Sequence, residues 1–304
     1  MSYHGRFAPS PTGPLHFGSL VAAVGSYLEA KVRGGRWSVR IEDVDSPRCV
    51  PGATDDILRT LESFGFAWDG PVWIQSDRLD VYAAALETLK QKEAVYPCAC
   101  SRKAVAASGR GRAVDGGWIY PGTCRGRSVS DAPKGEKIAW RFRVPDGTVS
   151  FEDGVFGWQT QDVACAVGDF VLHRADGLFA YQLAVVVDDA AQGITEIVRG
   201  GDLLDSTARQ RLLQESLNYP LLRYVHLPVV LNAGGEKLSK QTQAQALNSA
   251  DPGSELIGAL RFLGQLPPKN LQTSSLSEIW AWATEHWVLS RVPAGPLPSH
   301  RCER

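Results

Sequence analysis

The chain has no excess of charge of either sign: 32 Lys and Arg oppose 33 Asp and Glu, for a net charge of −1. That excludes a molecule-wide attraction to nucleic acid, so any such contact must be local. No apolar run approaches the roughly 20 residues that span a bilayer. The first thirty residues hold His4, Arg6, Pro9, Pro11 and Pro14 where a leader would have its apolar core. A cytoplasmic protein with no membrane partner is expected. Six cysteines are too few for a disulfide framework in 304 residues. The one tight cluster, Cys98, Cys100 and Cys124, favours metal ligation instead. There is no internal repeat and no low-complexity tract. What is there is length for about two domains, with 44% apolar residues to build a core in each.

The opening is the most informative stretch. Residues 3–8 suit a strand, Pro9-Ser10-Pro11-Thr12-Gly13-Pro14 forbids regular structure, and Leu15, Leu20, Val21, Val24, Leu28 and Val32 follow at helical spacing up to Gly34-Gly35. Trp37, Val39 and Ile41 then alternate with Ser38, Arg40 and Glu42, a second strand ending in acidic residues. Strand, helix and strand make a βαβ unit. Ligands of such sheets sit beyond the carboxyl ends of the strands, so residues 8–18 and Glu42–Asp45 should share one crevice. Helical patterns recur over 55–64 and 78–93, the second with Ser76 or Asp77 as its cap. Residues 97–135 are rich in Gly and Arg and read as an inserted, loop-rich subdomain, followed by short strands over 138–172. The α/β pattern resumes at Leu178–Val187, continues through a helix capped by Ser206 and a strand over Val225–Leu231, and gives way to a helical tail.

Two segments carry chemistry. At the first strand-to-helix junction, Pro9 to Ser19 offers exposed helix N–H groups to a phosphate; His16 can donate to it, and Gly18 admits a nucleotide close to the backbone. Taken alone, the segment serves equally as a proline-rich turn with a structural histidine. Lys237 and Lys240 flank Leu238-Ser239 in a glycine-flanked loop, where they can stabilise charge on a pyrophosphate leaving group. Together, more than two hundred residues apart, these segments resemble the HIGH and KMSKS signatures of class I aminoacyl-tRNA synthetases.

Four further runs narrow the resemblance to the glutamyl subgroup: Arg6 to Gly13, Arg40 to Asp45, Asp188-Asp189 with Gly193-Ile194-Thr195, and Arg199 to Leu204. Only about sixty residues follow Lys240, where glutamyl-tRNA synthetases carry a large anticodon-binding region. With Leu15-His16-Phe17-Gly18-Ser19, that shortness resembles the glutamyl-queuosine tRNA(Asp) synthetases. The resemblance implies an α/β fold: a Rossmann-like class I catalytic domain over 1–96 and 166–218, a zinc-bearing connective insertion over 97–165, and a short helical domain over 219–304 with the KMSKS-like loop. It implies ATP with Mg2+, L-glutamate and the queuosine-bearing anticodon stem-loop of tRNA(Asp) as substrates and partner. A truncated glutamyl-tRNA synthetase charging the 3′ end and a catalytically silent tRNA-binding paralogue are the rival readings.

The same resemblance implies residue roles. Arg6, Ala8, Ser10, Glu42, Tyr181 and Arg199 would bind glutamate, the arginines suiting carboxylates by their fork geometry and Glu42 accepting from the ammonium. Pro9, His16, Gly18, Ser19 and Lys240 would bind ATP, and His16, Gly18, Lys237 and Lys240 would serve the activation step. Asp43, Asp45, Asp188 and Asp189 could cap turns or touch ligand. Cys98-x-Cys100 followed by Tyr120-Pro121-Gly122-Thr123-Cys124 resembles the family's zinc knuckle, implying one structural Zn2+ on Cys98, Cys100, Tyr120 and Cys124. Two departures stand out: Leu238 and Gln241 replace the consensus methionine and second serine, and a glycine-rich excursion separates Cys98-x-Cys100 from Tyr120 and Cys124. Residues 102–127 carry Arg102, Lys103, Arg110, Arg112, Arg125 and Arg127 against Asp115, a local balance of +5. That segment is either a phosphate-backbone contact or a solvated loop.

Overall fold

The computed structural model describes residues 2–108, 110–133, 135, 137–231 and 245–295. The chain begins with β1 (His4–Phe7), α1 (Phe17–Val32) and β2 (Arg36–Ile41). Pro9, Pro11 and Pro14 cannot donate to a ladder or helix, which stops β1 and delays α1 to Phe17. β2 lies parallel to β1, and β3 (Trp73–Ile74) parallel to β2 after the crossover helix α2 (Ala53–Ser63). α3 (Leu79–Gln91) leads into an antiparallel sheet of β4 (Val95–Cys98), β5 (Ala139–Phe142) and β8 (Val171–His173). α4 (Arg102–Ala106) follows β4, and β6 (Val149–Asp153), β7 (Gly157–Gln161) and α5 (Val163–Ala166) precede β8.

After α6 (Tyr181–Gln192), β9 (Glu196–Gly200), α7 (Leu204–Leu217) and β10 (Arg223–Leu227) form a second βαβ unit, whose sheet runs β7-β6-β10-β9. β9 and β10 are parallel, and β6 joins β10 in parallel at Tyr224 and Asp153. Thr195 N donates to His4 O at 2.9 Å, which seats β9 beside β1. α1 lies close on β10: a Cβ on Gly25 would stand 2.5 Å from a Leu227 methyl, so a side chain there would have to displace Leu227. The carboxyl ends of β1, β2, β9 and β10 therefore open on one side.

Two helices, α8 (Pro252–Phe262) and α9 (Leu276–His286), pack on α1 and share its core. The tail tryptophans are braces of that core. Trp280 donates Nε1 to Phe64 O at 2.9 Å and packs edge-on against Tyr27 and Phe66, while Trp287 donates Nε1 to the buried Glu29 at 2.6 Å.

Three local expectations need correction. Ser206 does not cap α7, which starts two residues earlier at Leu204; its hydroxyl instead accepts from Gln182 and Arg209. Ser76 and Asp77 do not cap α3 either, because Gln75–Arg78 form a 3-10 turn and Leu79 begins the helix without a side-chain cap. The last strand ends at Leu227, since Pro228 has no N–H to continue the ladder.

Candidate active site

Beyond the carboxyl ends of β1, β2 and β9 lies a cavity of about 560 Å3. Arg6, Ala8, Ser10, Glu42, Tyr181 and Arg199, the residues expected to hold an amino acid, all line it. They come from four elements and their flanks: β1 and β2 of one sheet, β9 of another, and the start of α6. Its walls carry four arginines, Arg6, Arg48, Arg174 and Arg199, against two carboxylates, Glu42 and Asp45, an excess that suits an acidic ligand. Arg48, Asp45 and Arg174 form a linked set: Asp45 accepts from Arg48 at 2.5 Å and from Arg174 at 3.2 Å. Sequence reasoning missed Arg48, Arg174 and Phe179, because nothing in their local pattern separates them from ordinary surface residues.

Beneath the cavity floor the charges are ordered. Arg6 donates Nε to Asp189 Oδ1 at 3.1 Å, and its two terminal nitrogens have no hydrogen-bond partner among the described residues. Arg40, fully buried, donates NH1 to Asp189 at 2.8 Å and NH2 to Glu42 at 3.1 Å, and its Nε lies 3.9 Å from Asp188. Asp188 in turn accepts from Gln75, Arg78 and Tyr82 at 2.7–2.9 Å. Asp188 and Asp189 thus neither cap a turn nor line the cavity; they lie inside α6 as counter-ions to the arginines. Burial alone would raise the Asp189 carboxyl, but Arg40 and Arg6 outweigh it and hold the group below its ordinary value. Burial pushes Glu42 up, and Arg40 and Arg6 offset only part of that rise. Asp43 holds a turn, its Oδ1 accepting from Ser76 N at 2.8 Å.

His16 is the N-cap of α1, and its Nδ1 accepts from Ser19 N at 3.3 Å. That bond places the proton of the neutral ring on Nε2, the nitrogen able to donate to a phosphate. Gly18 and Ser19 occupy the first turn of the same helix, and Pro9 O accepts from Glu42 N at 3.0 Å, tying the two motifs together. None of these four residues lines the amino-acid cavity. Lys237, Lys240 and Gln241 lie outside the described residues. The first described residues after them return to the same helix end: Leu247 N donates to Leu15 O at 3.0 Å, and Ala246 bridges His16.

A second constellation lies at the end of β4. The Sγ atoms of Cys98, Cys100 and Cys124 fall within 4.8 Å of one another, Cys100 and Cys124 at 3.6 Å. A tetrahedral ion with metal–sulfur bonds of about 2.3 Å holds its sulfurs roughly 3.8 Å apart, so the cluster could hold a metal ion. Tyr120 Oη lies beside the cluster, 3.4 Å from Cys98 and 3.6 Å from Cys100. Arg141 donates Nε to Cys98 Sγ at 3.3 Å and stacks its guanidinium over the Tyr120 ring. Burial would raise the Cys98 thiol, yet its hydrogen bonds with Tyr120 and Arg141 bring it below the ordinary value, whereas burial raises the Cys100 thiol. The excursion between Cys100 and Tyr120 folds away as α4 and a hairpin closed by Ala113 and Gly117, anchored through Asp115 to Arg209 on α7 at 2.6 Å. Of the basic residues in this segment, Arg125 is committed internally to Asp169, whereas Arg102, Lys103, Arg110, Arg112 and Arg127 are exposed.

Comparison with known proteins bears on this arrangement. Residues 3–279 match the family model of the class I tRNA synthetase catalytic domain of the glutamate and glutamine type. The chain is 61% identical to the glutamyl-Q tRNA(Asp) synthetase of Dechloromonas aromatica, over 97% of each chain. It is 57% identical to the enzyme of the same name from Aromatoleum aromaticum, over 96% of this chain and 90% of the other. Among solved structures, a glutamate tRNA ligase from Elizabethkingia meningosepticum in complex with its amino acid superposes with a TM-score of 0.78 at 28% identity. That match covers 96% of this chain and 66% of the ligase.

Proposed function

The chain belongs to the class I tRNA synthetases of the glutamate and glutamine group, and from that membership we propose that it activates L-glutamate with ATP and transfers the glutamyl group to queuosine in the anticodon stem-loop of tRNA(Asp), in the cytoplasm. The observation that carries the activation half is the arginine-rich cavity, in which Arg6 and Arg199 converge on a space lined by Glu42 and Tyr181. The acceptor half rests on relatives that match nearly end to end and bear the glutamyl-Q name.

In the first step a glutamate carboxylate oxygen attacks the α-phosphorus of Mg2+-bound ATP, and the bond to pyrophosphate breaks. In the second a queuosine hydroxyl attacks the acyl carbon, loses its proton and releases AMP. No protein nucleophile enters; catalysis is positioning and charge stabilisation. Arg6 and Arg199 hold carboxylate, Glu42 accepts from the ammonium, and Ala8, Ser10 and Tyr181 shape the pocket. Pro9, His16, Gly18 and Ser19 cradle the nucleotide at the α1 N-terminus, and Lys237 and Lys240 stabilise the departing pyrophosphate. Cys98, Cys100, Tyr120 and Cys124 hold one zinc ion, which staples a segment too small to bury a core of its own.

The activation half is tested by glutamate-dependent pyrophosphate exchange with no tRNA present. Exchange is expected with glutamate, and glutamine should be worse by roughly two to four orders of magnitude, because the neutral amide leaves a buried arginine unpaired at about 3–5 kcal/mol. No exchange without tRNA, or equal use of glutamine, contradicts the reading. The metal assignment is tested by elemental analysis of protein purified without added metal. About one equivalent of zinc is expected, lost in Cys98→Ser/Cys124→Ser; a content below about half an equivalent that the substitutions leave unchanged would overturn it.

A further inference from the structure

Arg199 enters the cavity with its guanidinium held from behind by residues the reaction does not otherwise use. Nε donates to His226 Nε2 at 3.0 Å, NH1 to Gln210 at 2.8 Å, and NH2 to Thr207 Oγ1 at 2.9 Å and Leu203 O at 3.3 Å. A guanidinium can only donate, so His226 Nε2 must present a lone pair and the ring proton must sit on Nδ1. Nδ1 lies 2.6 Å from Asp153 Oδ2. The other oxygen, Oδ1, is pinned by the backbone N–H groups of Val155 at 3.1 Å, Phe156 at 3.0 Å and His226 at 3.3 Å. Asp153, His226 and Arg199 come from the adjacent strands β6, β10 and β9 and are all buried, so the chain of bonds crosses the sheet from a distant hairpin to the pocket.

We propose that Asp153 and His226 are positioning residues for amino-acid recognition: Asp153 fixes the Nδ1–H tautomer of His226, and that tautomer supplies the acceptor that aims Arg199 at the substrate carboxylate. The inference rests on the reading of Arg199 as a glutamate-binding residue. Burial pushes His226 down to about 4, Asp153 offsetting only part, so the ring is neutral at neutral pH. A neutral ring is what acceptance from a cation requires.

The arrangement makes a nearly isosteric substitution informative. In Asp153→Asn the three amide donors keep the side-chain oxygen at the Oδ1 position, which turns the new NH2 group toward His226 Nδ1. Nδ1 must then accept, the ring proton moves to Nε2, and a donor faces the Arg199 Nε–H. Shape is kept while the bond that orients Arg199 is lost. A residue that merely braced the hairpin would show no such dependence on proton position.

The experiment combines pyrophosphate exchange on the full chain with NMR of protein carrying 15N-labelled histidine, the His226 signals being those missing from His226→Gln. In the unsubstituted protein Nδ1 should be protonated and Nε2 bare. In Asp153→Asn the order should reverse, and the KM for glutamate should rise about ten-fold or more while the KM for ATP stays within about two-fold. The double variant Asp153→Asn/His226→Gln, whose amide can turn its carbonyl to Arg199 whatever stands at 153, should regain most of that loss. Nε2 protonated in the unsubstituted protein, or folded Asp153→Asn with its glutamate KM within about two-fold, overturns the proposal. Should Asp153→Asn not fold, the tautomer in the unsubstituted protein decides alone. Arg199→Lys separates the two levels: a raised glutamate KM there with none in Asp153→Asn sinks this inference only, whereas no change in either removes Arg199 from the glutamate site.

Discussion

Arg40→Met is expected to cost about 3–5 kcal/mol of stability, the range for breaking a buried ion pair by removing one partner. The reason lies in what remains. Arg40 is fully buried and is a shared cation for Glu42, Asp188 and Asp189. Methionine fills similar volume, so the loss is one of charge compensation and not of packing. For a chain of this size the melting temperature should fall on the order of 10 °C. The pH dependence gives a sharper check. Because Arg40 and Arg6 depress Asp189, that carboxylate contributes stability which is fully present above the ordinary aspartate pKa and is lost as pH falls through the lower folded value. Removing Arg40 shrinks the depression, so the gap between variant and parent should narrow in acid. Thermal unfolding at neutral pH and near pH 3, below the ordinary aspartate value, measures both; a gap that is small at neutral pH, or that widens in acid, contradicts the account. Glutamate binding should weaken as well, because Asp189 and Glu42 both lose the group that orders them.

The sequence made one half of this network readable and hid the other. Arg6 and Glu42 stand at strand ends whose alternation is plain, and the rule for ligands of open parallel sheets is enough to bring them together. Asp188 and Asp189 stand at the end of an apolar run, where two acids look like a helix tail reaching water. They are buried because the middle of α6 is covered all round, every residue from Leu183 to Asp189 being buried, which periodicity cannot reveal in a run without a polar face. The Cys cluster was legible because its spacing is local on each side, even though the ligands are separated by a folded excursion. Asp153 and His226 were not, since they stand 73 positions apart and only the pairing of β6 with β10 makes them neighbours. The misplaced cap at Ser206 has a different cause. A serine ahead of a helical pattern is a cap only if the helix starts there, and tertiary contacts with Gln182 and Arg209 gave its hydroxyl another use.

The acceptor prediction has the largest effect of all, because it is close to all or none. A net charge of −1 makes sequence-blind duplex binding weak, so recognition has to rest on unstacked bases that can be read by shape and stacking. The exposed cations Arg102, Lys103, Arg110, Arg112 and Arg127, with Arg112 stacked over the exposed Trp118, form a local basic surface. Once glutamyl-adenylate is formed, transfer needs a nucleophilic hydroxyl at the pocket mouth. If queuosine provides it, tRNA(Asp) that carries guanosine at the wobble position has nothing to react, whatever its 3′ end. Labelled glutamate should therefore enter queuosine-containing tRNA(Asp) and stay at background with the queuosine-free form. The decisive measurement is the position of the label after nuclease digestion and separation of the nucleosides. The account predicts it on queuosine alone; label on the 3′-terminal adenosine would contradict it and make the protein a charging enzyme of the ordinary kind.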